Sequence, residues 1–240
     1  MNIAVIFAGG VGKRMHTKDK PKQFLEVCNK PVLIYTLEHF ENNPEIDAIV
    51  IACVPDWINY TEELVYRFRI SKVKKIVPGG KTGQDSIYNG LCAAESISTT
   101  KNDIVLIHDG VRPLISSQLI TKNIKAVKEY GSAITSGIVK ETIVIVNNQN
   151  NVQQVEPREH CRVAKAPQSF LLNEILTIHR KAIAEGKHEF IDSCTMMQSY
   201  GKTMHMIEGP NENIKITTPE DYYTMRAVIQ AREDQQIYGL

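Results

Sequence analysis

Short apolar runs alternate with amphipathic stretches along the first 140 residues. The runs are rich in Ile and Val, as in strands that are buried on both faces of a parallel sheet. They cover residues 3–7, 48–52, 75–77, 104–107 and 133–139. The stretches between them space their apolar residues as helices do, over residues 31–40, 57–68, 85–94 and 117–130. This alternation predicts a parallel sheet with helices on both faces.

The pattern changes after Val139. Two apolar segments, residues 142–146 and 152–155, flank a polar Asn/Gln turn and predict a hairpin. Helical patterns return over residues 172–184 and 193–200. A predicted strand over residues 203–207 and a short extended segment over residues 213–217 follow, and a final helix runs from Pro219 to about Asp234. Without internal repeats or Ser/Gly-rich linkers, we expect one domain over residues 1–240, with a protruding arm over about 140–165.

Composition and charge narrow the class of protein. With 42% hydrophobic and 23% charged residues, the chain is typical of globular proteins and unlike disordered ones. The formal charge of +1 leaves no global field for nucleic acid or an anionic membrane, so we expect neither as a partner. The N-terminal segment lacks the features of a signal peptide, and the five cysteines form no CxxC pair. These features favour reduced thiols and a cytoplasmic protein.

A glycine-rich turn follows the first predicted strand. It lets backbone N–H groups approach phosphate oxygens, although a plain tight turn is the alternative. It is not a P-loop, because Arg14 stands where the hydroxyl residue is required. It is not a dinucleotide fingerprint, because Met15 replaces the third glycine. Five nearby cations favour a bound polyphosphate over an empty turn; they are Lys13, Arg14, Lys18, Lys20 and Lys22.

The fourth predicted strand ends in a second polar motif, His108-Asp109-Gly110-Val111-Arg112-Pro113. Ligands of parallel α/β sheets bind at the carboxyl ends of the strands. Asp109 is therefore a candidate Mg²⁺ ligand, and Arg112 is a candidate phosphate ligand. The alternative is a turn in which Asp109 caps the backbone and pairs with Arg112.

Six motifs occur in the order found in the CTP-dependent sugar-alcohol phosphate cytidylyltransferases, which the chain therefore resembles over nearly its whole length. This family includes enzymes for 2-C-methyl-D-erythritol 4-phosphate and for D-ribitol 5-phosphate. The motifs are Ala8-Gly9-Gly10 with Gly12 and Arg14-Met15, Pro21-Lys22-Gln23-Phe24, Gln84 to Leu91, His108 to Pro113, Pro167-Gln168 with Phe170, and Asn213 to Thr217.

The resemblance implies a Rossmann-like three-layer α/β/α sandwich of the nucleotide-diphospho-sugar transferase type. It also implies a homodimer that exchanges its arms, with Mg²⁺ as cofactor and CTP and a polyol phosphate as substrates. The implied catalytic cations are Arg14, Lys22 and Lys215. The implied nucleotide-binding residues are Ala8, Gly9, Gly10, Gly12, Gly80, Asp85 and Ser86. The implied substrate-binding residues are Asp109, Arg112, Thr142 and Arg158, with Thr142 and Arg158 acting in the partner's site and Asp109 also near the metal.

Departures from the methylerythritol pattern lie near the acceptor. Gly83 stands where many of those enzymes carry arginine, Ala166 stands where they carry threonine, and Glu141 replaces an aspartate. We therefore expect D-ribitol 5-phosphate as the acceptor, with methylerythritol phosphate as the alternative.

Two other classes of function fit the sequence less well. A non-catalytic nucleotide sensor is expected to lose Lys22 or Lys215, and both are present. An NAD-dependent oxidoreductase needs an acid near residues 52–54, where the chain has Ala52-Cys53-Val54.

Overall fold

The structure is a computed structural model that describes residues 1–9 and 20–238, with side chains up to residue 234. Its strands are β1 (Asn2–Ala8), β2 (Glu26–Val27), β3 (Lys30–Pro31), β4 (Ala48–Cys53), β5 (Val73–Pro78), β6 (Ile104–Asp109), β7 (Ser132–Ile138), β8 (Ile143–Val146), β9 (Val152–Glu156), β10 (Arg162–Leu171) and β11 (Met206–Glu208). Its helices are α1 (Val32–Glu41), α2 (Ile58–Arg67), α3 (Gly83–Glu95), α4 (Ser117–Tyr130), α5 (Leu172–Ala184), α6 (Ser193–Ser199) and α7 (Pro219–Tyr238).

A seven-stranded sheet in the order β11-β7-β10-β6-β1-β4-β5 forms the centre of the molecule. Strand β1 lies between β6 and β4 and is parallel to both, and β5 extends the parallel part beyond β4. Every residue of β4 and β6 is buried. The predicted Ile/Val runs therefore form strands that are covered on both faces.

The strands predicted over the first 140 residues run parallel to one another, but the sheet also contains an unpredicted strand, β10, which runs antiparallel between β6 and β7. Sequence patterns missed this strand, since its first half is exposed and lacks apolar alternation, and Pro167 argues against an inner strand. The structure accommodates Pro167 where the pairing with β7 shifts register, between Ala164 and Gln168. The predicted extended segment 213–217 is not a strand, although the Ile216 N–H donates to the Val111 carbonyl.

Helices cover both faces of the sheet. On one face, Ile6 and Ile51 pack with side chains from α1, α2 and α4, including Leu37. On the other face, Val5 and Val50 pack with side chains from α3, α5 and α6. Neighbouring residues of one strand point to opposite faces, so each strand contributes to both layers of the core. The three-layer α/β/α sandwich is confirmed.

Strands β8 and β9 pair only with each other within the part of the chain that the structure describes. They form the predicted hairpin, and the Asn147 side chain accepts hydrogen bonds from the Gln149 and Asn151 amides in the turn. Their large apolar side chains are exposed, with Val152 62% and Val155 58% accessible. This arm contributes little to the core of its own subunit.

No helix among the described residues has the length and apolar character needed to cross a membrane.

Candidate active site

The carboxyl ends of four parallel strands meet at one edge of the sheet. Ala8 pairs with Cys53, Cys53 with Pro78, and Phe7 with Asp109. Ligands of open α/β sheets bind at this edge, because loops diverge there and leave a crevice. The candidate residues from three separate motifs are thus brought to one place.

Ser86 lies against two glycine segments at this edge. Its hydroxyl oxygen accepts a 3.0 Å hydrogen bond from the Gly80 N–H and donates to the Thr82 carbonyl at 2.9 Å. A Cβ atom at Gly9 would lie 2.9 Å from the Ser86 oxygen, and one at Gly80 would collide with Asp85. Glycine at these positions therefore lets the Ser86 and Asp85 side chains pack directly against the backbone. Gly9, Gly80 and Ser86 together form what we call the glycine wall.

Helix α3 begins at this glycine wall with a capping box. The Asp85 N–H donates to the Thr82 hydroxyl at 3.0 Å, and the Asp85 carboxylate accepts from the Thr82 N–H at 3.2 Å. Asp85 therefore fixes the turn that carries Ser86. The N-terminus of this 13-residue helix adds partial positive charge beside the glycines.

Lys22 lies in a single 3-10 turn, Lys22–Phe24, that packs onto the end of β1. The Gln23 side chain donates to the Ala8 carbonyl at 2.7 Å, and Phe24 stacks on Trp57 with 4.9 Å between ring centroids. The Lys22 ammonium donates to the Ile216 carbonyl at 2.8 Å. The turn thus joins Lys22 to the segment that contains Lys215.

Asp109 forms two ion pairs in a buried position. Its Oδ1 lies 2.5 Å from the Lys215 ammonium, and its Oδ2 accepts from Arg112 Nε at 3.1 Å. Burial by itself raises the pKa of Asp109, but the charges of Lys215 and Arg112 outweigh it and lower the pKa to about 2. The carboxylate is therefore ionised at all physiological pH values.

The segment before Lys215 is held in place by buried polar contacts. Arg112 donates to the Asn213 carbonyl at 2.8 Å, and the Asn213 side chain donates to the Ala166 carbonyl at 2.7 Å. The motif at the end of β6, the bulge of β10 and the segment before α7 are thereby connected. Arg112 consequently has a structural role as well as a charge that faces the cavity.

A cavity of about 350 Å³ opens beside these ion pairs. Asp109, Arg112 and Lys215 line one part of it, and the two small residues singled out in the sequence, Gly83 and Ala166, line it as well. Five further polar residues line the cavity, namely Gln84, Lys165, Gln168, His179 and Asp192. Gln84 and Gln168 belong to the family motifs, although no role was predicted for them. No site role was predicted for Lys165, His179 and Asp192, because their positions depend on the unpredicted strand β10 and on the packing of α5 and α6.

The other predicted site residues fall into two groups. Gly10, Gly12 and Arg14 lie outside the described residues. Thr142 and Arg158 lie on the arm and do not line this cavity in the described part of the same chain. The exposed Arg158 side chain donates to the Lys140 carbonyl at 2.7 Å.

Asp109 is also the candidate Mg²⁺ ligand. Among the described residues, no group of three or more His, Cys, Asp or Glu side chains could hold a metal by itself. Mg²⁺ bound to a nucleotide needs only one or two protein carboxylates, because phosphates and water supply the other ligands. The ionised Asp109 carboxylate, at the carboxyl end of β6, fits that requirement.

A glycine wall and a cluster of positioned cations at the carboxyl ends of the parallel strands of a Rossmann-like sheet are typical of a nucleotidyltransferase site. A profile of the IspD family, 2-C-methyl-D-erythritol 4-phosphate cytidylyltransferase, matches residues 2–231. The chain belongs to this family of cytidylyltransferases.

Individual relatives differ in their acceptors. The chain is 54% identical over 240 residues, 100% of both chains, to ribitol-5-phosphate cytidylyltransferase of Streptococcus agalactiae serotype III (strain NEM316). It is 41% identical over 220 residues, 92% of this chain and 93% of the relative, to 2-C-methyl-D-erythritol 4-phosphate cytidylyltransferase of Clostridium botulinum (strain Loch Maree / Type A3). The crystal structure of 4-diphosphocytidyl-2C-methyl-D-erythritol synthase from Anaerococcus prevotii DSM 20548 is similar, with a TM-score of 0.82, 27% identity and coverage of 95% and 96% of the two chains.

Proposed function

We propose that the protein transfers a cytidylyl group from CTP to D-ribitol 5-phosphate and releases pyrophosphate. The observation that carries this proposal is the meeting of the Ser86–glycine wall with the Lys22, Lys215 and Asp109 cluster at one sheet edge. A nucleotide with its base near Ser86 would direct its phosphates toward these cations. The acceptor would then occupy the cavity beyond Asp109.

The reaction requires little acid–base chemistry. An oxygen of the ionised acceptor phosphate attacks the α-phosphorus of CTP, and a new P–O bond forms. The bond from that phosphorus to the bridging oxygen breaks, and pyrophosphate leaves with the electron pair. Two polyanions approach each other, so the barrier depends mainly on positioning and on positive charge. Lys22 and Lys215 supply that charge in the proposed mechanism, together with Arg14.

We assign Asp109 as the protein ligand of a Mg²⁺ ion that enters with CTP. The bound ion would neutralise charge on the pyrophosphate leaving group. The Asp109 carboxylate also holds the Lys215 ammonium, and so keeps that charge close to the point where negative charge would develop.

The acceptor assignment rests on the cavity and on the relatives. Gly83 and Ala166 leave room and remove a side-chain hydroxyl where methylerythritol enzymes carry arginine and threonine. Sites that hydrogen-bond substrate hydroxyls discriminate strongly between analogues, so small changes here suffice to switch acceptors. The full-length similarity to ribitol-5-phosphate cytidylyltransferases supports the same acceptor.

Methylerythritol 4-phosphate is the second candidate acceptor, favoured by the family profile and by the similar crystal structure. The test is pyrophosphate release with CTP and each acceptor at equal Mg²⁺. We expect a higher kcat/KM for ribitol 5-phosphate. A higher value for methylerythritol 4-phosphate would overturn the acceptor, and no turnover with either would overturn the whole proposal. Replacing CTP by ATP, GTP or UTP tests the nucleotide in the same assay.

We further propose a homodimer in which the arm, residues about 140–165, reaches the active site of the partner. A lone two-stranded hairpin is marginally stable, and exposed Val152 and Val155 would gain by packing on a second subunit. Thr142 and Arg158 would then bind the acceptor's phosphate from the partner subunit. Light scattering at micromolar concentration should give twice the chain mass.

A cytoplasmic location is part of the proposal. All five cysteines are free thiols, as expected in a reducing compartment. Cell fractionation with an antibody to the chain tests this location, and recovery in a membrane or secreted fraction would contradict it.

A further inference from the structure

Lys165 lines the acceptor cavity, although no role was predicted for it. Its neighbours Ala164 and Ala166 line the same cavity, as does Gln168. Successive residues of a regular strand alternate between faces, so this arrangement requires an irregularity. The register shift of β10 between Ala164 and Gln168 supplies it. The bulge therefore turns a lysine into the cavity at the end of β6.

No acidic side chain among the described residues that line the cavity forms an ion pair with the Lys165 ammonium. Asp109 is already paired with Arg112 and Lys215, and Asp192 accepts from Gln168 at 2.7 Å and caps α6. The Lys165 ammonium contacts only carbonyl oxygens among the described residues, those of Pro210 at 3.4 Å and Asn211 at 3.3 Å. Both contacts are long for a charged donor.

The surroundings also oppose the positive charge of Lys165. Burial, followed by repulsion from the Arg112 charge, lowers its pKa from 10.5. Neutral hydroxyl groups of a polyol would not relieve that repulsion, whereas an anion would relieve it. The half-buried Lys165 side chain crosses Gly137 of β7. A Cβ atom at position 137 would lie 2.9 Å from the Lys165 Cε, so glycine there provides the space that the lysine side chain occupies.

The anion that fits is the acceptor and not CTP. Strand β10 lies on the opposite side of β6 from β1, β4 and β5, which carry the glycine wall. Lys165 lies at the base of the arm, where β10 pairs with β7 of its own subunit. We propose that Lys165 therefore binds the phosphate of the acceptor from within the same subunit, opposite Thr142 and Arg158 of the partner's arm. This inference rests on the proposed function, because it requires a polyol phosphate as the second substrate.

The test compares Lys165→Met with the wild-type enzyme and with Lys165→Arg. We expect Lys165→Met to raise the KM for ribitol 5-phosphate by ~10–100-fold and to leave the KM for CTP within about twofold, because it removes a charge-assisted contact to one substrate. Lys165→Arg should recover most of the affinity. The matched control is Lys122→Met, because the Lys122 ammonium also donates to a backbone carbonyl, that of Glu208 at 2.8 Å, but does not line the cavity.

Three results would overturn the inference. If Lys165 only ties down residues 210–211, Lys165→Met should lower the melting temperature and raise both KM values together, through the adjoining segment that carries Lys215. If it binds CTP, only the KM for CTP should rise. The wild-type enzyme is assayed first with both acceptors. Its inactivity would refute the proposed function, whereas an active wild type with an unchanged acceptor KM in Lys165→Met would refute the role of Lys165 alone.

Discussion

The Lys22 ammonium donates a 2.8 Å hydrogen bond to the carbonyl of Ile216, although 194 positions separate the two residues. Ile216 follows Lys215, whose ammonium pairs with Asp109. One short stretch of backbone thus sets the positions of two cations from opposite ends of the chain. A charge that is already positioned stabilises a transition state without the cost of reorganisation.

Removal of the Lys22 charge should affect chemistry more than folding. We expect Lys22→Met to lower kcat for pyrophosphate release by ~10²–10³-fold, since it removes a cation from the transferring phosphoryl group. The control is Lys74→Met, because Lys74 is exposed and its ammonium also donates to a backbone carbonyl, that of Ser71 at 3.1 Å, away from the site. Near-wild-type turnover by Lys22→Met would remove Lys22 from the catalytic set.

Arm exchange predicts complementation between two inactive variants. In a mixed dimer of Arg158→Ala and Lys22→Met subunits, one site combines an intact core with an intact arm. Dual-tag purification isolates the mixed dimers, each with one working site out of two, so we expect about half of wild-type activity. Activity is measured after co-expression and dual-tag purification. If the arm serves its own subunit, mixing restores nothing.

The contact between Gly9 and Ser86 should appear as an energetic coupling. Gly9→Ala places a Cβ atom 2.9 Å from the Ser86 oxygen, so we expect a loss of about 1–3 kcal/mol in the free energy of unfolding. Adding Ser86→Ala removes that oxygen and should return part of the loss, measured by denaturant unfolding in a double-mutant cycle. Strictly additive effects would show that the two positions do not touch.

The buried His179 should make the protein sensitive to mild acid. Burial lowers the pKa of His179 from 6.5 to about 4, and neither ring nitrogen has a hydrogen-bond partner among the described protein groups. Below pH 6.5 the His179 ring of the unfolded chain therefore binds a proton, whereas that of the folded protein stays neutral until the pH falls to about 4. His179 therefore has no effect on the free energy of unfolding above pH 6.5, and lowers it by up to about 3 kcal/mol as the pH drops to about 4.

The variant His179→Phe tests this source of acid sensitivity and keeps an aromatic ring beside Tyr88, which stacks on His179 at 5.8 Å. We expect it to unfold less readily than the wild type at pH 4.5 and to differ little at pH 7.5. Denaturant curves at the two pH values give the comparison. The exposed His160→Phe is the control, since His160 loses little water on folding. An unchanged pH dependence in His179→Phe would contradict the assignment.

The sequence by itself determined the class of fold and most of the elements. Strands β1, β4 and β6 are short Ile/Val runs, and such runs fit only a sheet that is covered on both faces. The glycine-rich turn after β1 was also predicted, because Gly9 closely follows the first Ile/Val run. The Thr82–Asp85 capping box was not predicted, and α3 begins at Gly83, two residues before the predicted start. Family motifs identified Lys22, Asp109 and Lys215 before their contacts were known.

Only the tertiary structure decided which residues line the cavity and in which direction β10 runs. The pairing of β10 between β6 and β7 brings Lys165 and Gln168 to Asp109, although more than 50 positions separate them along the chain. Burial of His179 likewise follows from the packing of α5 on α3. A local pattern indicates which face of a segment is apolar. Which strands pair with each other depends on all segments of the chain together, because each segment competes with the others for the same pairing partners.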